Sequence, residues 1–336
     1  MYRDKTIGVV VPAYNEEGFV GRVIDTMPEY VDRVYVVDDE STDGTWKEIK
    51  RHAVKVNKKH EFDDKVKEEY DFKQKVVGIK HSKNKGVGGA IKTGYLMAVN
   101  DDIDIVAVMG GDAQMDPDNL HFLLDPIVEG KADYAKGNRL IHWKYRRSMS
   151  KWRFFGNSLL TFLTKIATGY WKTMDPQNGY TAISNYALRN VGIKNMYEGY
   201  GYCNDLLVKL NTKDMIVADV PIEAVYGEEG SDIRYRSYIF KVSGMLAKNF
   251  FWRMKNKYLL LDFHPLVFFY FFGAGLSLFG ILMALWSMFR RFSHNEAIFM
   301  RGTLSLLVFI MGSMFLMFAM LFDMQNNEHR EIQVHE

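Results

Sequence analysis

A chain of 336 residues with 43 lysines and arginines against 41 aspartates and glutamates is close to charge balance, so its bulk electrostatics give no sign of a nucleic-acid partner. The lone cysteine, Cys203, excludes an internal disulfide framework and a cysteine-based zinc site. The length leaves room for one large domain and an appendage, and charge follows that division: residues 265–289 and 302–322 contain no Asp, Glu, Lys or Arg, whereas the first three quarters are rich in them.

Residues 7–11 form an apolar run of the kind buried on both faces of a parallel sheet, and predict a first strand. The run ends in Pro12-Ala13-Tyr14-Asn15-Glu16-Glu17, after which Phe19, Val20, Val23, Ile24 and Met27 recur at helical spacing. A second strand at 33–37 ends in Asp38-Asp39-Glu40-Ser41-Thr42-Asp43-Gly44-Thr45, and Trp46, Ile49 and Ala53 predict another helix. This alternation favours a doubly wound α/β sheet, which binds ligands beyond the carboxyl ends of its strands. Both acidic turns lie there. Residues 55–75 are dense in charge and read as a solvated, partly helical insertion without chemistry. Strand-like residues 76–79 run into a glycine-rich stretch from His81 to Gly94. Ile91 stands where both the phosphate-loop and the dinucleotide motifs need glycine, so neither is present. The glycines either bring Lys85 close to a phosphate at a helix start or permit tight helix packing.

Residues 103–108 predict a buried strand that ends in Met109-Gly110-Gly111-Asp112-Ala113-Gln114-Met115-Asp116, ahead of Pro117. An extended chain past the glycines would point Asp112, Gln114 and Asp116 the same way. Their oxygens suit Mg²⁺ or Mn²⁺ bridging to substrate phosphates, although the composition equally fits a plain turn. Another strand at 134–140 contains Gly137-Asn138-Arg139. It precedes a basic, aromatic segment with Arg146, Arg147, Lys151, Trp152 and Arg153, which reads as a membrane-surface element or a solvated helix face. Residues 175–180 form a turn by composition. Then Glu198-Gly199-Tyr200-Gly201-Tyr202-Cys203-Asn204-Asp205 leads into an apolar helix, where Asp205 is either a catalytic carboxylate or a first-turn residue suited to the helix dipole. Residues 215–221 read as a late strand and 226–231 as a loop.

From 238 to 261 apolar residues mix with Lys241, Lys248, Arg253 and Lys257, the pattern of helices lying in a membrane interface. The two uncharged runs that follow are each long enough to cross a hydrocarbon core of roughly 30 Å, which takes about 20 helical residues. The first residues lack a signal region, so the large domain is expected in the cytoplasm, with the basic residues before the first run in agreement. Arg290, Arg291 and Arg301 in the connecting loop argue the other way.

The turns after the first strands, Asn84-Lys85-Gly86-Val87-Gly88-Gly89-Ala90 and Gly111-Asp112-Ala113-Gln114 occur in the order seen in family 2 glycosyltransferases. The chain most resembles the polyprenyl-phosphate sugar synthases, among them dolichyl-phosphate mannose synthase, from residue 7 to 231. The resemblance implies a GT-A fold: a doubly wound mixed sheet at 1–235, interface helices at 236–262, a two-helix transmembrane anchor at 263–323 and a polar tail at 324–336. It implies donor-nucleotide contacts at Pro12, Ala13, Tyr14, Glu16, Asp39, Gly111, Asp112 and Ala113, and metal ligation by Asp112 and Gln114. Arg139 falls where those synthases aim an arginine at the acceptor phosphate, with Arg147, Lys151 and Lys209 as further basic candidates and Asp205 in reserve as a catalytic carboxylate. Family 2 motifs accommodate both guanine and uracil. The departure is Gly110, where the family commonly has the first carboxylate of Asp-Ala-Asp-x-Gln; the late Gln-x-x-Arg-Trp of processive synthases is absent. The expected reaction is inverting, metal-dependent transfer of one sugar from a nucleotide diphosphate to a polyprenyl or dolichyl phosphate. The rivals are extension of a lipid-linked saccharide through a sugar hydroxyl, and a non-catalytic nucleotide-sugar-binding protein.

Overall fold

β-Branched residues dominate the centre of the sheet because the strands there are covered on both faces. In the computed structural model, which describes residues 1–139, 151–222, 235–261 and 263–334, β1 (Ile7–Ala13) lies between β2 (Arg33–Asp38) and β4 (Ile105–Val108), parallel to both. β3 (Val76–Lys80) extends the parallel half beyond β2. On the other side β6 (Thr181–Ser184) runs antiparallel to β4 and to β5 (Tyr134–Asn138), and β7 (Val217–Pro221) and β8 (Glu331–Gln333) complete the order β3-β2-β1-β4-β6-β5-β7-β8. The sheet is thus the mixed GT-A sheet that the family resemblance implies.

Alternation along β1 divides the core. Ile7, Val9 and Val11 face one layer, where they meet α1 (Val20–Asp25), α2 (Thr45–Lys59) and α5 (Leu120–Val128). Val10 faces the opposite layer, built by α4 (Val87–Asn100), α7 (Asn185–Asn190) and α8 (Tyr202–Thr212). The charged insertion is helical in part, through the end of α2 and the short α3 (Asp64–Glu69). Lys151 opens α6 (Lys151–Thr168), and its side chain, with Arg147 and the loop at 226–231, lies outside the described residues.

The chain divides into two units, residues 1–249 with 329–336, and residues 250–328. The second begins in the last turn of α9 (Tyr235–Arg253), passes through a π-helical segment, Met254–Leu261, and contains α10 (Leu266–His294) and α11 (Phe299–Asn327). At about 1.5 Å per residue, 29 residues in each helix exceed the thickness of a hydrocarbon core. Glycine lets the two helices approach closely: a Cβ on Gly280 would stand 2.7 Å from the Phe309 nitrogen. Their outer faces expose Phe271, Phe272, Trp286, Phe299 and Met317, far more apolar surface than a water-soluble monomer presents. Arg253 and Asp323 form a fully buried two-pronged pair at 2.7 and 3.0 Å, and Tyr258 donates to the same carboxylate. Residues 324–336, read from the sequence as a polar tail, instead carry the end of α11, a 3₁₀ turn and β8, which returns to the sheet of the first unit. Periodicity cannot reveal such a short edge strand.

Gly94 on α4 faces the fully buried Val10, and a Cβ there would sit 2.3 Å from Val10 Cγ1. Gly94→Ala is expected to cost about 1–3 kcal/mol through overpacking, more than the gain in helix propensity of up to about 1 kcal/mol. Gly244→Ala on α9, with nothing within 4 Å, should show only the gain. Thermal unfolding of the two variants in detergent checks the opposite signs.

Candidate active site

The carboxyl ends of β1, β2 and β4 are tied side by side by the backbone: Asp39 N–H donates to the Ala13 carbonyl at 2.9 Å, and Gly111 N–H to that of Pro12 at 3.1 Å. A Cβ on Gly111 would lie 3.0 Å from the Pro12 oxygen, so this approach favours glycine. Pro12, Ala13, Asp39 and Gly111 therefore form one floor. The two acidic turns interlock above it. Ser41 Oγ accepts from the Asn15 N–H at 3.0 Å, Asn15 Oδ1 from the Thr42 N–H at 2.9 Å, and Thr45 Oγ1 from the Glu16 N–H at 2.8 Å. Tyr14 stands exposed at the rim.

Asp39 is buried, and its carboxylate accepts from the Lys85 and Gly86 N–H groups at 2.9 and 2.7 Å and from His81 Nδ1 at 2.6 Å. His81 Nε2 lies 2.9 Å from Thr93 Oγ1. The donors at the glycine-rich helix start are thus engaged by Asp39. A Cβ on Gly88 would stand 2.4 Å from the Tyr197 oxygen, so the glycines serve close packing. Sequence reasoning assigned no role to His81; its position five residues before Gly86 was the available signal.

Past β4 the chain does not stay extended, which corrects the expectation of three polar side chains on one face. Ala113 has φ +56°, and Asp112 Oδ1 accepts from the Gln114 N–H at 3.1 Å. Asp116 instead accepts from the Asp118 N–H at 3.0 Å and starts a 3₁₀ turn. A Cβ on Gly110 would lie 2.8 Å from Asp112 Oδ1, so the Asp112 carboxylate leans over the position where the family's first carboxylate would be attached. No group of three His, Cys, Asp or Glu side chains placed to hold a metal ion occurs among the described residues. One carboxylate and one amide in a half-buried turn fit a hard cation that completes its shell with phosphate oxygens and water.

Arg139, just past β5, donates through Nε and Nη2 to Asp175 at 2.7 and 3.1 Å. The same strand sends Lys136 and Asn138 to Asp219 on β7, at 2.8 and 2.6 Å, and the Met174 N–H reaches Asp219 at 3.2 Å. Asp205 and Lys209, both candidates from the sequence, pair with each other across one turn of α8. Asp205 also accepts from the Tyr197 N–H and from Asn249, each at 2.9 Å. Asp175, Asp219 and Asn249 had no sequence signal beyond residue type.

A sequence model described as glycosyl transferase family 2 matches residues 8–192. UDP-N-acetylglucosamine–dolichyl-phosphate N-acetylglucosaminyltransferase of Methanococcus voltae is 31% identical over 226 residues, 67% of this chain and 88% of that protein. Dolichol-phosphate mannosyltransferase of Pyrococcus furiosus is 25% identical over 213 residues, 60% of this chain and 52% of that one. A solved glucosyl-3-phosphoglycerate synthase from Mycobacterium tuberculosis, in complex with Mn²⁺, UDP-glucose and phosphoglyceric acid, shares the fold: TM-score 0.52, 19% identity, covering 74% of this chain and 80% of that one.

Burial alone would push the Asp175 carboxyl up, but the Arg139 donors and charge, with the Lys136 charge, outweigh it and hold the group below its ordinary range. A depressed carboxyl contributes stability that is present above its unfolded value of about 3.9 and lost as pH falls through the folded value. The stability gap between wild type and Asp175→Asn should therefore hold from neutrality to about pH 5 and close below about pH 4. Thermal unfolding across that range checks it; a gap already closing between about pH 7 and 5 contradicts the pair.

Proposed function

The chain belongs to glycosyl transferase family 2, and we propose that it transfers one sugar from a nucleotide diphosphate to a polyprenyl or dolichyl phosphate, with inversion at the anomeric carbon. The observation that carries this reading is the set of polar turns gathered at the joined carboxyl ends of β1, β2 and β4, together with an Asp205 carboxylate already committed to three donors, one of them cationic. An alcohol acceptor needs a base with a free oxygen aimed at it, whereas the Asp205 carboxylate is engaged by Tyr197, Lys209 and Asn249. A phosphate acceptor is an anion at neutral pH and needs none. The naming of dolichyl-phosphate sugar transferases among the relatives supports the same acceptor.

In this reaction an acceptor phosphate oxygen forms a bond to the anomeric carbon while the bond to the nucleotide diphosphate breaks, and the diphosphate leaves with the electron pair. Pro12, Ala13, Tyr14, Glu16, Asp39, Gly111 and Ala113 line the donor nucleotide in this reading, with Tyr14 offering its exposed ring to the base. Asp112 and Gln114 would hold Mg²⁺ or Mn²⁺, which when bound offsets the charge of the leaving diphosphate. Arg139 orients the acceptor phosphate, and Asp175 fixes the plane of its guanidinium. Lys209, paired with Asp205, supports α8 and is a weaker acceptor candidate.

The two apolar helices anchor the enzyme in a membrane, with the catalytic unit facing the cytoplasm. Return of the chain to the sheet at β8 supports an even number of crossings. Of the basic residues before α10, Lys248 and Lys255 are exposed and favour that orientation, whereas Arg253 and Lys257 are buried.

Incubating the purified chain with polyprenyl phosphate and a panel of nucleotide sugars should give, in the presence of Mg²⁺ or Mn²⁺, a glycolipid heavier by one sugar. Its absence with every donor, or transfer only to a lipid-linked saccharide, overturns the reading. Arg139→Ala is expected to lower kcat/KM for the lipid phosphate by about 100-fold while nucleotide affinity stays within about twofold, as for loss of one donor to a reacting anion. Equal weakening of both overturns the role of Arg139.

A further inference from the structure

Three consecutive backbone N–H groups, of Trp171, Lys172 and Thr173, converge on one carboxylate at 2.7, 2.7 and 2.8 Å. Thr173 adds its hydroxyl at 3.2 Å. Such a run of donors is an anion-binding concavity, and here the chain fills it with its own Glu331. Glu331 is buried at the start of β8, on the far side of both apolar helices in sequence. The pairing of β8 with β7, the Val334 N–H donating to the Asp219 carbonyl at 3.1 Å, and Gln333 Nε2 reaching the Lys172 carbonyl at 3.4 Å set the carboxylate in register with the concavity.

The segment that Glu331 grips leads directly to the acceptor side. Two residues past Thr173 the chain reaches Asp175, whose φ of +46° lies in the left-handed region, which aspartate enters more readily than most non-glycine residues. Glu331 holds 171–173, Lys165 reaches the Trp171 carbonyl, Asp219 and Lys136 hold the Met174 N–H and carbonyl, the Asn178 N–H donates to the Asp175 carbonyl at 3.1 Å, and Asp175 then grasps Arg139.

We propose that Glu331 is a positioning residue for the acceptor: by filling the concavity it sets the 171–175 segment, and through Asp175 it fixes the guanidinium of Arg139. The inference rests on reading Arg139 as the residue that orients the acceptor phosphate. It makes the membrane hairpin more than an anchor, because the hairpin is the route by which the chain delivers Glu331 to the catalytic sheet.

Glu331→Gln keeps the shape but presents an NH₂ group to backbone N–H donors, so one arm of the concavity loses its acceptor. In the full chain, with the donor that yields glycolipid, this variant is expected to raise KM for polyprenyl phosphate about tenfold and to leave KM for the nucleotide sugar within about twofold. In an Arg139→Ala background the same substitution should add less than about twofold, since its effect runs through that arginine. A merely structural role for β8 would move both KM values together, or repeat the full effect without Arg139, and either result overturns the proposal. If Glu331→Gln does not fold, Thr173→Val removes only the hydroxyl contact and should raise the lipid-phosphate KM about twofold; no rise overturns the proposal. Wild type without product from any donor overturns the functional reading along with this one, whereas active wild type and an unshifted Glu331→Gln overturn this one alone.

Discussion

The half of the sheet proposed to take the acceptor depends on the buried pair between Lys136 and Asp219. Both are almost fully inaccessible, on neighbouring parallel strands, and their 2.8 Å contact is joined by Asn138 Nδ2 and the Met174 N–H on the same carboxylate. A buried ion pair taken as a unit adds little stability over apolar packing, but losing one partner strands a charge at a cost of about 3–5 kcal/mol. Here loss of Asp219 would also remove the carboxylate to which Asn138 and the Met174 N–H donate. The pair therefore specifies position: it locks β5 to β7 and holds the loop before Asp175 against both, so that Arg139 leaves the end of β5 in one direction.

The half proposed to take the donor is held differently. Its floor is backbone on backbone at the ends of three parallel strands, and its walls are two acidic turns whose short side chains cap one another's N–H groups. Asp39 joins this assembly to the start of α4 through two further backbone donors and His81. Glycine is needed at 111 and 88 because backbone approaches backbone there. This half is built on backbone contacts at strand ends and on turns that cap one another, while the other half is built on buried side-chain contacts between parts of the chain still farther apart.

That contrast explains how much could be read from the sequence. β1, β2, β4, the helices between them and the placement of the acidic turns at strand ends all follow from apolar runs and turn chemistry, which are local. Asp112 lies in a turn after β4, as the sequence predicts, but the chain there is not extended, because the left-handed backbone at Ala113 does not follow from residue type. Lys136 and Asp219 are 83 residues apart, and Glu331 is 160 residues from Trp171. No periodicity links such positions. The antiparallel insertion of β6 between β4 and β5 was likewise invisible, since four residues carry no signature of strand direction.

The position of β8 has a consequence for how the molecule is assembled. Residues 329–334 can complete the sheet only after α10 and α11 have been made, because both helices lie between β7 and β8 in the chain. Until then β7 presents an open edge, and the N–H groups at 171–173 lack their carboxylate. The side proposed for the donor depends less on late elements: its strand ends and turns lie within the first 120 residues, with later contacts from Tyr180, Tyr197 and Glu198. The side proposed for the nucleotide and the side proposed for the acceptor thus differ in construction: the first is shaped mainly by early residues, and the second also draws on a strand that follows both apolar helices in the chain.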